Sequence, residues 1–132
     1  MSEEGAGGWV WAAVASPEET LRRLAIRDDA LLHRVLARSE DERRAGLPLD
    51  AKAYALVCVS SLIAVDAGAP SYLCAVEAAR TAGATDEELV ACLLAVLPIV
   101  GAARVVSAAP KLGLALGYDV GAALENSDPV LG

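Results

Sequence analysis

The side chains able to do acid–base or binding chemistry are few, and they are scattered through apolar sequence. Arg104 is the only charge between Glu88 and Lys111. A guanidinium in so apolar a stretch requires a carboxylate, from the protein or from a ligand. Asp66 and Glu77, each isolated in its own helical run, are the protein partners on offer. An ion pair with one of them and the anchoring of a carboxylate substrate are both open readings. Glu77 becomes a proton-transfer group only if burial raises its pKa, and Tyr54 offers a phenol hydroxyl to the same cavity, with core packing the simpler account of it. Ser71 and Tyr72 fall at a helix start, where a hydroxyl and free backbone N–H groups can receive an anionic oxygen. Ser71 as an ordinary N-cap is the more economical account.

Other chemistries find less support. His33, the only histidine, lies between Leu32 and Arg34, off the apolar stripe of its helix, so an exposed side chain is expected rather than a base. Without it, neither a Ser-His-Asp nor a Cys-His unit can be assembled, and a zinc site of His and Cys ligands has no basis. Cys58, Cys74 and Cys92 sit in apolar runs with no C-x-x-C pair among them. They read as small hydrophobes of a protein kept in a reducing cytoplasm. No metal and no cofactor is expected.

A net charge of -7, with 18 acids against 11 basic residues, argues against nucleic acid, whose binding rests on neutralising phosphates. The basic residues of the first fifty positions alternate with acids, so no basic face forms. The acidic N-terminus does not resemble a secretory signal. The longest charge-free run, Leu89 to Ala103, contains Pro98 and Gly101 and falls short of the roughly 20 residues a membrane span needs. Apolar residues make up 55% of the chain and aromatics only 4%, with no Phe, so the core must be built from Ala, Leu and Val. Such a core favours closely packed helices and buries little area per residue. With a mean hydropathy of +0.44, self-association is the expected remedy.

The elements that must position these residues are helical, and no segment alternates as a half-buried strand does, so an all-α fold of about six helices is expected. Residues 1–15 read as a flexible arm whose Trp9-Val10-Trp11 segment docks on its own domain or on a neighbouring subunit. A single domain is expected over 16–125, with a tail at 126–132. Ser16-Pro17-Glu18-Glu19 opens the first helix with a capping box, and Asp28 or Asp29 caps a second. Ser39 to Gly46 reads as a loop. Asp50 caps a helix from Ala51 to Ala67, apolar nearly all round, which must be covered on every side. Gly68 ends it and Pro70 bars continuation. A helix from Ser71 to Ala82 stops at Gly83, and Thr85-Asp86-Glu87-Glu88 caps the next, which runs to Val100 with Pro98 in its last turn. Gly101 leads into a helix toward Leu116 that contains Pro110, and Gly117 to Leu124 adds one turn.

This order, Leu49-Asp50-Ala51-Lys52, an apolar helix, a Gly-containing elbow, Ala82-Gly83-Ala84-Thr85-Asp86-Glu87-Glu88, then Gly101 and an Ala-rich helix, resembles the carboxymuconolactone decarboxylase and alkylhydroperoxidase D superfamily over roughly residues 47–109. The resemblance implies an alkylhydroperoxidase D-like helical bundle that assembles into trimers or hexamers. It also implies either a cofactor-free lyase or isomerase acting on a small carboxylated or lactone-like molecule, or a non-catalytic oligomer that binds a ligand or a partner protein. The positions at which the peroxidase branch keeps its two cysteines and its histidine hold Gly68, Ser71 and Ala75 here, and its glutamate falls on Ala55 or Leu56. Thiol peroxidase chemistry therefore lacks its attacking thiolate, its resolving thiol and its proton relay. The decarboxylase branch also keeps the histidine that Ala75 replaces.

Overall fold

Capping chemistry sets most of the helix boundaries in the computed structural model, which describes residues 16–119. Ser16 caps α1 (Pro17–Ala25), its side chain accepting from the Glu19 N–H at 3.0 Å. Asp28 caps α2 (Asp29–Leu36) by accepting from the Ala30 and Leu31 N–H groups. The expected capping box at Ser16 is only half made, because the Glu19 carboxylate bonds Arg22 instead, at 2.6 Å. The stretch expected as a loop at 39–46 is helical. Ser39 and Glu42 form a reciprocal capping box that starts α3 (Glu40–Gly46), satisfying two otherwise orphaned N–H groups.

One compact unit ends at Ala51 and a second begins at Lys52. The second holds α4 (Ala51–Ala64), α5 (Ala69–Thr81), α6 (Asp86–Val100) and α7 (Ala102–Leu116). Seven helices and no strand are found among the described residues, so the fold is all-α. The Thr85–Glu88 capping box at the start of α6 forms as expected. Gly101, with φ of +91°, turns the chain directly from α6 into α7, a backbone conformation that a side chain would strain. The arm at 1–15, its Trp9-Val10-Trp11 segment, the tail at 126–132 and most of the turn expected over 117–124 lie outside the described residues.

Helical spacing writes the core of this second unit. Ala55, Val59 and Ile63 of α4, Tyr72, Val76 and Ala79 of α5, Leu89, Cys92 and Leu93 of α6, and Ala108, Leu112 and Leu116 of α7 form one buried cluster. Each set recurs at three or four residues, the period of one helix face. α7 packs against both α5 and α6. Lys52 at the start of α4 reaches Glu88 on α6 at 3.1 Å. Cys92, as expected, is a buried small residue, with its thiol directed at the Glu88 and Leu56 carbonyls. Cys74 is not: two positions from both Tyr72 and Val76, it faces solvent.

Large apolar side chains also remain outside. Val57 is 54% exposed, Leu94 67%, Ile99 84%, Val106 70% and Leu114 65%. α4, apolar on every side, is covered on the face of Ala55, Val59 and Ile63 and open at Val57, Ser61 and Ala64.

The ends of three helices meet at Arg80. Its guanidinium donates to both carboxylate oxygens of Asp86, at 2.9 and 3.1 Å from Nη2, and to the Leu116 carbonyl at 3.0 Å. Tyr118 donates its hydroxyl to Asp86 Oδ2 at 3.1 Å. One arginine thus joins the C-terminus of α5, the acidic first turn of α6 and the last carbonyls of α7, with each charge on the favourable end of its helix. Arg80→Ala is expected to lower stability by about 1 kcal/mol, below the usual range for hydrogen bonds to charged groups, because the side chains are 44% and 32% exposed and solvent screens the pair. Arg80→Lys, without the planar fork, should recover little of the loss. A urea midpoint unchanged in Arg80→Ala would contradict this role.

Candidate functional site

The α4–α5 elbow gathers the densest set of polar groups around the residues singled out by sequence. α4 ends at Ala64, short of Gly68, and turns at Asp66: Asp66 takes φ of +56°, and the Asp66 and Ala67 N–H groups close back on the Ile63 and Leu62 carbonyls at 3.2 and 3.0 Å. Asparagine and aspartate tolerate this left-handed position better than other side chains. Gly68 is instead the N-cap of α5, and Pro70 stands in its first turn, where its missing N–H costs nothing. Ser71 therefore lies inside the helix and is not its cap.

The turn aims the Asp66 carboxylate at α7. Asp66 Oδ1 accepts from Ser107 Oγ at 2.8 Å and from Lys111 Nζ at 3.3 Å, and Lys111 also donates to the Ala67 carbonyl at 2.8 Å. Arg104, Ser107 and Lys111 recur at i, i+3 and i+7 and so share one face of α7. The Ser107 hydrogen bond holds the Asp66 carboxyl below the usual carboxylate range, helped by Lys111 and, more weakly, by the charge of Arg104. Beside it, Tyr72 is fully buried, and its hydroxyl has no hydrogen-bond partner among the described residues. Burial, and after it the negative charge of Asp66, raises the Tyr72 pKa.

This arrangement is a tie between elements and not a catalytic unit. A serine–lysine pair acts on substrates only when the lysine is neutral and faces the hydroxyl. Here the Ser107 proton is directed at Asp66, and Lys111 donates to the same carboxylate and to the Ala67 carbonyl.

The other expected site residues do not converge on the elbow. Arg104, expected in buried surroundings, is exposed and makes no hydrogen bond to a described residue, acting on Asp66 only through its field. The reason lies in its place along the helix: Arg104 shares a face with Ala108, four residues on, but stands on the first turn of α7, ahead of its first buried residue, Ala108. Glu77 is exposed and borders an open groove with Leu73, Arg80 and Ala115. Ala115 lies about 16 Å along α7 from Arg104, at 1.5 Å per residue, so Glu77 and Arg104 serve opposite ends of that helix. Tyr54 is half-buried on α4, Ser71 is exposed, and Ala75, at the histidine position of the resemblance, is half-buried against the core. His33 is exposed, as expected. Among the described residues, no group of three or more His, Cys, Asp or Glu side chains is placed to hold a metal ion.

Sequence reasoning missed Ser107 and Lys111. Their signal was the spacing with Arg104, the one polar stripe of α7. Compared with protein-family models, curated proteins and solved structures, the chain matches none.

Two outcomes follow from the elbow. The folded-state pKa of Asp66 lies below its unfolded value, so its stabilisation is complete above the ordinary aspartate range, near pH 4, and is lost as pH falls through the folded pKa. Asp66→Asn should melt at lower temperature than the wild type at pH 7, with the gap closing toward pH 3; a gap independent of pH would contradict the ionised tie. Tyr72→Phe, which removes a buried hydroxyl lacking a protein partner, should raise stability by about 1 kcal/mol. A loss on urea denaturation would show that the hydroxyl is satisfied.

Proposed function

We propose that this chain is a self-associating helical module, a non-catalytic oligomer of the carboxymuconolactone decarboxylase-like kind that binds a small ligand or a partner protein on a scaffold without the usual reactive groups. The observation that carries this reading is the apolar surface left open on α4 and α6, with Val57, Leu94 and Ile99 each more than half exposed. Val57 and Ile99 border one open groove between α4 and α6, and an exposed apolar patch is the mark of an interface. The order of α4, elbow, α5, capped α6 and Gly101-led α7 supports the resemblance. Trimers or hexamers are the assemblies it implies.

The lyase or isomerase reading draws less support. It needs an anchor and an acid or base around one cavity, and Arg104 and Glu77 lie toward opposite ends of α7. A thiol peroxidase would need paired thiols. The three cysteines are free, with only Cys74 exposed, which suits a reducing cytoplasm. No helix among the described residues is long and apolar enough to cross a membrane, and the acidic balance of the chain gives nucleic acid nothing to bind.

Sedimentation equilibrium at micromolar concentrations is expected to return a mass three or six times the 13.5 kDa of one chain. A single 13.5 kDa species throughout would overturn the proposal.

A further inference from the structure

A groove of about 340 Å³ runs along the first half of α6, lined by Asp86, Glu87, Val90, Ala91, Leu94 and Tyr118. Its acidic end is closed by Tyr118, whose hydroxyl donates to Asp86 Oδ2 at 3.1 Å. The rest of its length is apolar, with Leu94 67% exposed. Tyr118 is held there from its backbone as well. Gly117, at φ of +96°, turns the chain off α7, and the Tyr118 N–H closes back on the Gly113 carbonyl at 2.9 Å, a helix-ending pair of bonds that fixes where the chain leaves. The polypeptide beyond Asp119 therefore departs from the wall of the groove itself.

That departing stretch has the right chemistry and the right reach. Val120-Gly121-Ala122-Ala123-Leu124 carries no charge, and the acids resume at Glu125. Leu124 is six positions past Tyr118, which is about 9 Å of chain if helical and about 20 Å if extended. These lengths bracket the roughly 12 Å that eight residues of helix place between Asp86 and Leu94. Val120 can thus stand against Val90, and Leu124 against Leu94. Glu125 then falls beyond Leu94, where α6 has no charge to repel it, since none lies between Leu89 and Ala103. A segment tethered at the groove wall also meets it at an effective concentration in the millimolar range, which a second chain in dilute solution does not reach.

We infer that the α6 groove is the docking surface for the chain's own C-terminal segment, residues 120–124, laid along Val90, Ala91 and Leu94. The contact goes beyond the self-association proposed above and does not depend on it. It takes Leu94 out of the surface open to another copy and leaves Ile99, which stands five positions on and about 140° round the helix.

Alkylation by iodoacetamide, read thiol by thiol by peptide mass spectrometry on the full chain, tests the docking. Ala91→Cys puts a probe on the exposed groove wall, and Ile99→Cys puts a control elsewhere on α6. The thiol at 91 should react at least tenfold more slowly in the chain with Leu124 than in the same chain carrying Leu124→Glu. Leu124→Met, which stays apolar, should keep the protection. The thiol at 99 should react at one rate with either residue at 124, and the buried Cys92 should stay unlabelled throughout, which shows the fold intact. Equal rates at 91 with and without Leu124→Glu would overturn the docking. Protection at 91 that survives Leu124→Glu and fades on dilution would place another copy in the groove, and would overturn it too. A wild type that sediments as a single 13.5 kDa chain removes the self-association but leaves protection at 91 dependent on Leu124, so the two proposals fail separately.

Discussion

The mismatch between how much of this chain is apolar and how little of it four short helices can cover governs the rest of the structure. A helix has one face to give to a neighbour, and a unit of this size buries one such stripe per helix. α4 and α6 are apolar on more than one face, so burying Ala55, Val59 and Ile63, or Leu89, Cys92 and Leu93, leaves Val57, Leu94 and Ile99 in water. At roughly 25 cal/mol per Å², that exposed area is a standing drive toward association. With aromatics at 4% and no Phe, the interior has few bulky groups with which to compensate. The interior is stabilised mainly by Ala, Val and Leu, and the surplus is available to another copy.

Against that background the polar residues of the second unit serve its joints. Arg80 fastens the start of α6 to the end of α7, Asp66 fastens the end of α4 to α7 through Ser107 and Lys111, and Lys52 fastens α4 to Glu88. Each tie has a partner at a helix terminus, and at Arg80, Asp86 and Glu88 the charge also matches the helix dipole. The groups that sequence offered for chemistry are thereby accounted for or dispersed. Asp66 is committed to the elbow, Arg104 adds only its field, and Glu77 lies toward the far end of α7.

Local signals were legible in the sequence and long-range ones were not. The all-α class, the Thr85–Glu88 capping box, Gly83 and Gly101 as helix boundaries, and burial of Cys92 all follow from residues within a turn of one another. The Ser39–Glu42 box was equally local, but its charged surroundings read as a loop because the helix it starts has almost no apolar stripe. The ends of α4 and α5 shifted because Asp66 took the left-handed position that Gly68 was expected to hold, and because Pro70 is accepted inside a first helical turn. Arg104 and Cys74 were misread for one reason: an apolar stretch was equated with a buried one, whereas helices with apolar residues on several faces expose some of them. The Asp66–Ser107–Lys111 tie spans about forty residues and depends on how α7 folds back over the elbow, which no spacing rule encodes.

If copies of the chain complete its apolar core, folding and association are coupled, and the folded state is stabilised by mass action. Thermal denaturation of the full chain over a hundredfold range of concentration measures that coupling directly. A melting temperature that climbs steadily with concentration is the predicted result. One that stays fixed across the range would mean that the single chain is stable with its apolar helices in water, and would contradict the claim.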